Sequence, residues 1–559
     1  MSFTRRRSAA IVERLFSRVE SALGQKLQQH SPYYWLHIYR RLAPENAFND
    51  GLLGTVSLYR RTLELAFFKY GRADASGEFV DGSDPTKVLG GALSELIRDR
   101  SIPLDLPANG SYLGPFDFDD FCEFHAVECL AHYLYSLTSC LRWLYKGASL
   151  EVRNPDLFRL RPSHELKSLV EGFDRRGEKH SWFATPPGIP LTGFRTAPPS
   201  MDTILVPQFN VERLSAEKLG YEYLLSETPI EMRGAGPNFS WIPLDLATFR
   251  KTHNFLSDQV LTQFGFSVED LTSFVAAVSW RFWISLRSVD AGFGWNYLQR
   301  AYSYGTLGSL RQEWLETSRV IGSPIPEERL DNLICCSSYD PVQKSQIDLW
   351  SRGPNRLILP LTEDRVVVDM VALPFLVHDV IWDIGRHVQD WRPKGAPLED
   401  LVEERAAQCP HASVWRKRGL LRGTDQSSRE IDVGIICGDV LFVVDCFALA
   451  RSLAFDKGKP EALSHRQEKL TAKLEQVDTL AQWLKAHPRG NNYDVPSQIR
   501  RLVPLVVSAF VEYIWTRDRG LWLTDHVPRV CTVSEFETIL RSAEIRKQVV
   551  SRPFVLSLT

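Results

Sequence analysis

Residues 429–452 read REIDVGIICGDVLFVVDCFALARS, and the fold of the C-terminal part of the chain turns on them. Two β-rich runs flank a tight turn at Cys437-Gly438-Asp439, which predicts a hairpin. Side chains alternate faces along a strand, so Glu430 and Asp432 share a face of the first run. On the second, Leu441, Val443, Asp445 and Phe447 share one face. A carboxylate inside an apolar strand is expensive unless a cation or a metal compensates it, and Asp445 sits inside LFVVDCFALA. Acidic residues on adjacent strands are a way to hold a hard divalent cation such as Mg²⁺ beside a phosphodiester.

Working outward, the pattern predicts a helix at 398–408, strands at 412–421, 430–436 and 440–448, and a helix at about 461–486. A strand at 502–510 and a last helix from Val533 follow. A sheet begun early, a crossover helix and a further strand make an α/β unit. Its start is marked by the Pro393 to Pro397 boundary. Before it, RLILPLTEDRVVVDM (356–370) predicts a hairpin about Thr362-Glu363-Asp364. An amphipathic helix with Val377, Ile381, Ile384, Val388 and Trp391 on one face follows that hairpin.

Residues 1 to about 340 read mainly as helix, from apolar spacing of three and four in AIVERLFSRVESAL, TVSLYRRTLELAFFKYG and the stretch Phe118 to Tyr145. Further helices are expected at 265–288 and 308–321. Pro/Gly-rich breaks at 183–200 and 233–243 allow two subdomains there. The expected organisation is therefore multidomain: a mostly α-helical region over 1–340, a connecting hairpin and helix over 341–396, and an α/β domain over 397–559.

A chain of 559 residues is too long for one core, and 44% hydrophobic with 24% charged residues is ordinary globular composition. Fifteen Trp, 30 Phe and 17 Tyr supply bulk for several cores. A net charge of −2 gives no global field toward nucleic acid or anionic lipid. Local basic strips remain: Trp415-Arg416-Lys417-Arg418, then Arg422 and Arg429, which read as phosphate contacts or as a solvated edge strand. Nine scattered cysteines without a CxxC pair fit a reducing compartment, with vicinal Cys335 and Cys336 read as buried thiols. No apolar run reaches membrane-spanning length, since Asp369, Pro374, His378 and Asp379 interrupt the most apolar stretch. The Arg-rich start reads as an amphipathic helix with Ile11, Leu15, Val19 and Leu23, and a cytoplasmic protein is expected, with no membrane contact.

The hairpin and the elements after it resemble the PD-(D/E)XK, or restriction-endonuclease-like, nucleases over roughly residues 398–545. In that family an Asp on one strand and a D/E-x-K on the next hold metal and position water, and a preceding helix carries a further acidic residue. The resemblance implies that Asp432 is the first Asp, Asp445 the acid of the second motif, and Glu403 or Glu404 in LEDLVEERAAQ the helical one, with Glu430 beside them. Asp432 and Asp445 would then ligate Mg²⁺. The lysine position is Phe447, which supplies neither charge nor donor. Lysine migrates in this family, so Lys457, Lys459, Lys469 and Lys473 are substitutes, with Arg451 and Arg466 as further donors. The implied function is a nucleic-acid-associated protein with a degenerate or altered nuclease-like domain, acting on DNA or RNA in prokaryotic antiviral defence or DNA processing. The alternative is a non-enzymatic scaffold that binds a protein partner.

Other clusters carry less. Cys122, His125, Cys129 and His132 share a helix face, but the rise from first to last is about 15 Å. Zinc ligands must converge to about 2 Å from the ion, so these are read as core. Asp379, Asp383, His387 and Asp390 read as a solvated helix face. Gly234-Ala235-Gly236-Pro237 lacks phosphate-loop context. The aromatics of YYWLHIY, VSWRFWISL and FGWNYL read as core.

Overall fold

The computed structural model describes residues 5–30, 32, 35, 53–72, 110–113, 118–154, 157–182, 191–192, 202–209, 230–233, 239–287, 302–349, 357–360, 364–373, 376–377, 380–381, 395–449 and 451–558. The chain mixes helix and sheet, with a mainly helical N-terminal region and a sheet-centred C-terminal unit.

The C-terminal unit opens with α1 (Gly395–Ala407), followed by β1 (Ala412–Arg416), β2 (Gly419–Arg422), β3 (Ser428–Ile431), β4 (Val433–Cys437) and β5 (Val440–Phe447). Next come the long α2 (Pro460–Ala486), β6 (Arg501–Ser508), β7 (Val530–Thr532), α3 (Val533–Arg541), α4 (Ala543–Val549) and β8 (Leu556–Ser557). The main sheet runs β1-β4-β5-β6-β7, with β8 pairing β6. β4 and β5 are antiparallel, while β5, β6 and β7 are mutually parallel neighbours, as the α2 crossover requires. Every residue of β5 is buried, because helices cover both faces. Leu441, Val443 and Phe447 pack against Leu470, Leu474 and Val477 of α2. Phe442, Val444 and Cys446 face Leu398 and Val402 of α1 and Phe536 of α3.

The hairpin turn falls at Gly438-Asp439, where Gly438 adopts φ 67°, the left-handed region that suits glycine. Two expected strands break. The strand read over 412–421 divides into β1 and β2, with a register shift between Val414 and Arg416. The strand read over 430–436 divides at Asp432, because β3 leaves the main sheet to pair with β2. β1 is an edge strand of the main sheet and ends at Arg416 of the basic strip, with Lys417 and Arg418 just after it, Arg422 on β2 and Arg429 on β3.

In the N-terminal region the helices Arg5–Leu27, Leu53–Tyr70 and Phe118–Lys146 share a core containing Phe16, Leu23, Trp35, Phe67 and Leu134. Val268–Arg287, Leu307–Val320 and Glu327–Ser337 share a second, containing Phe274, Phe282 and Trp314. Short strands also occur there; Tyr302–Thr306 pairs with Arg365–Asp369 of the expected 356–370 hairpin, whose other strand is Ile358–Pro360. That hairpin therefore packs into the second core through Ile358, Val366 and Val368 and into the first through Leu359 and Val367. Its expected turn residues Thr362 and Glu363, most of the helix after it with Asp379, Asp383, His387 and Asp390, the stretch 234–237 and FGWNYL lie outside the described residues. Among the described residues no helix is long and apolar enough to cross a membrane.

Two expectations about side chains are corrected here. Cys122 and Cys129 are exposed, because Phe124, Val127, Ala131 and Leu134 take the core face of that helix. His125 stands outward too, its Nε2 3.8 Å from the Cys129 sulfur and its Nδ1 3.5 Å from Glu128. Cys335 is exposed and Cys336 half-buried, since Leu330, Leu333 and Ile334 occupy the buried side of their helix.

Candidate functional site

Val433 pairs with Val444, and one step beyond that pair stand Asp432 and Asp445. Asp432 occupies the bend between β3 and β4, where its Oδ2 accepts a 2.7 Å bond from the Cys446 backbone N–H. The bend thus turns the first carboxylate toward the strand that carries the second. Asp445 is 5% exposed and projects to the α2 side of β5, as strand alternation requires.

α2 brings the cation. Lys473 Nζ lies 2.9 Å from Asp445 Oδ1 as an ion pair, outside hydrogen-bond alignment, so that buried oxygen has no hydrogen-bond partner. Burial opposes the charged lysine, but Asp445 and then Asp432 outweigh it and raise its pKa. Of the other donors considered, Arg466 forms a bidentate contact with the fully buried Glu512, Lys457 pairs with Asp348 at 2.5 Å, and Lys459 pairs with Glu13 at 2.9 Å. Arg451 donates to the Val511 carbonyl, and Lys469 is exposed. Phe447 packs in the α2 core with the Arg466 guanidinium 4.8 Å over its ring. Phe447 is therefore a packing residue, and the lysine that pairs with Asp445 comes from α2.

α1 supplies the third carboxylate, from Glu399. Glu399 is 7% exposed, its Oε2 is 3.3 Å from Arg418 Nη1, and that oxygen too lacks a hydrogen bond. Burial and then the Asp432 charge push its carboxyl up to about 7. Burial, followed by Asp432, likewise pushes Asp445 up to about 6, and burial raises Asp432. Asp432 thus acts on two raised carboxyls, Asp445 on the α2 side of the sheet and Glu399 on α1, and Lys473 pairs with the first.

The remaining expected residues fall around this cluster. Glu403, one helical turn beyond Glu399, is buried but pairs with Lys417 at 2.8 Å. Glu404 is exposed and accepts from Gln408. Glu430 is exposed on β3, and its charge raises the pKa of both Asp432 and Asp445. The reading of the sequence missed Glu399. The available signal was its place beside Leu398 and Val402 on the buried face of α1. For Lys473 the corresponding signal is a lysine between Leu470 and Val477 at spacings of three and four, inside the apolar stripe of α2.

Chemically, the site sets Asp445 and Glu399 beside the Asp432 charge, with Asp445 Oδ1 ion-paired to Lys473 and Glu399 Oε2 to Arg418. That donor set fits a hard cation such as Mg²⁺, which keeps several waters and takes only one or two protein carboxylates. Among the described residues, no three His, Cys, Asp or Glu side chains already converge at ligand spacing. The exposed heads of Lys417 and Arg418 lean over α1 at the rim, beside the sheet edge. Comparison of the chain with family models, with curated proteins and with solved structures returns no match.

Proposed function

We propose that the C-terminal unit is a restriction-endonuclease-like, metal-dependent phosphodiesterase acting on DNA or RNA, in which Lys473 of α2 replaces the lysine absent at position 447. The observation that carries the reading is the 2.9 Å approach of Lys473 to Asp445, within reach of the Asp432 charge. Asp432 and Asp445 would hold Mg²⁺, with Glu399 as an additional or water-mediated ligand. Once bound, such an ion supplies a Lewis acid and a more acidic water beside the phosphate.

The chain's own residues do the rest. The Asp432 bond to the Cys446 N–H fixes one carboxylate, and Lys473 fixes the other. The Lys473 ammonium stands where it can orient a nucleophilic water and offset the charge that develops on the phosphate. Arg416, Lys417 and Arg418 on the edge of the sheet supply backbone-phosphate contacts that carry no sequence information. A setting in antiviral defence or DNA processing is consistent with this chemistry.

A second reading, a scaffold for a protein partner, draws on the ion pairs that tie the helical region to this unit, Arg176 to Glu535 above all. One assay separates the two. The full-length protein is incubated with DNA and with RNA in Mg²⁺ or Mn²⁺, beside Asp432→Ala and Asp445→Ala. Cleavage by the wild type that both substitutions abolish supports the enzyme. Intact DNA and RNA throughout would leave the scaffold reading.

A further inference from the structure

A cavity of about 840 Å³ opens between the helical region and the C-terminal unit, away from the acidic cluster. Lys146, Tyr513 and Trp515 line it together with Leu166, Leu169 and the first turn of α2. Ser464 lines it and lies nine residues before Lys473 on α2, a separation of about 14 Å along the helix. The volume suits a small organic ligand.

Charge decides what kind. Around the cavity, Arg142 pairs with Asp174, Arg451 with Asp456, Lys459 with Glu13 and Arg466 with Glu512. Lys146 is the exception: no carboxylate lies within ion-pairing distance of its amine among the described residues, and the amine stands over the Tyr513 ring, 5.5 Å from its centre. Part of the lysine stays open to the cavity while its amine end is enclosed. A Cβ on Gly458 would lie 3.3 Å from that amine, so Lys146 points at the lead-in to α2. There the helix begins without a side-chain cap, with Pro460 in its first turn. First-turn N–H groups left free by the helix attract anions, and 27 residues of helix dipole add to that. Burial and then Arg142 push its pKa well down, and the charges of Asp174 and Asp456, each already paired with an arginine, oppose this only in part.

The aromatic walls add a second requirement. Tyr513 and Trp515 are half-buried, and both line the cavity. Flat π-faces of this kind accept a heteroaromatic ring by stacking. The carboxylates at the mouth are turned to other work or to solvent: Glu165 accepts from the Arg517 N–H and the Thr516 hydroxyl, and Glu461 is exposed.

We propose that this cavity is a binding site for a mononucleotide, its phosphate held by Lys146 and the N-terminus of α2 and its base against Trp515 and Tyr513. The proposal is independent of the nuclease reading, since it rests on binding at a separate site. The test is calorimetric titration of the full-length protein with AMP, GMP, CMP and UMP, with adenosine and inorganic phosphate as partial ligands. At least one monophosphate binds, and more tightly than either partial ligand. Lys146→Ala weakens it by about tenfold or more, the loss of one charge-assisted contact. Affinity also falls as pH rises, because binding requires the protonated amine. Ser464→Trp, at an exposed position on the wall, blocks binding without touching the core. The proposal is overturned if no monophosphate binds at millimolar concentration. It is equally overturned if Lys146→Ala and Ser464→Trp, both folded by circular dichroism, bind like the wild type, or if adenosine or phosphate alone binds as tightly as the nucleotide.

Discussion

At the scale of single residues, the acidic cluster sets a pH dependence whose sign follows from its direction. Glu399 and Asp445 have folded-state pKa values raised to about 7 and about 6 from ordinary values of 4.5 and 3.8. An acid held high in the folded state favours folding while it is protonated, and that contribution disappears as pH rises through the folded value. In EDTA the melting temperature should therefore fall between pH 5 and pH 8. Glu399 contributes in this direction, since burial and then the Asp432 charge raise its carboxyl. Under the proposed metal site, divalent cations would bind the deprotonated carboxylates, so Mn²⁺ should raise Tm more at pH 8 than at pH 5.5. Glu399→Gln should flatten the EDTA profile; an unchanged slope in that variant, or a flat wild-type profile, would contradict the assignment. Asp432 and Asp445 were legible in the sequence because a carboxylate in a β-rich run stands out. Glu399 and Lys473 were not, because a charged residue beside an apolar helical stripe looks solvated until the sheet it packs on is known.

At the scale of elements, the hairpin, α2 and the parallel return to β6 follow from local pattern and turn chemistry. The breaks in the two outer strands do not, since they depend on β2 and β3 pairing with each other instead of with the main sheet. One close approach locks this corner. A Cβ on Gly434 of β4 would lie 2.6 Å from Trp415 Cε3, and the Trp415 indole donates to the Asp494 carbonyl at 2.9 Å. Gly434→Ala should cost about 1–3 kcal/mol by forcing the ring aside. Urea denaturation would register it as a lowered midpoint at constant slope, with most of the loss recovered in a Trp415→Ala background. A Gly434→Ala midpoint equal to wild type would mean that the corner is looser than described.

At the scale of the molecule, the helical region and the C-terminal unit are joined through buried charge, which no local pattern reveals. Arg176, on the helix His164–Trp182, pairs with Glu535 at 2.5 Å and donates to the Glu512 carbonyl at 3.0 Å. Glu535 also closes the capping box of α3, so the same carboxylate anchors a helix start and a docked neighbour. Removing one partner strands the other, at about 3–5 kcal/mol. Arg176→Met should therefore lower Tm clearly, and Arg176→Met/Glu535→Gln should lose less than the sum of the single changes; additive losses would argue against a shared contact. Lys473 itself is carried by α2, which Leu470, Leu474 and Val477 hold against the sheet. The most direct measurement of the proposed phosphodiesterase is the Mn²⁺-dependent cleavage rate, on DNA and on RNA, of Lys473→Ala against wild type and against Phe447→Ala. With Lys473 supplying the charge, its loss should slow cleavage by about 10²-fold or more, while Phe447→Ala keeps activity in proportion to its folded fraction. Wild-type cleavage by Lys473→Ala, beside an inactive Asp445→Ala, would show that the cation of this site comes from elsewhere.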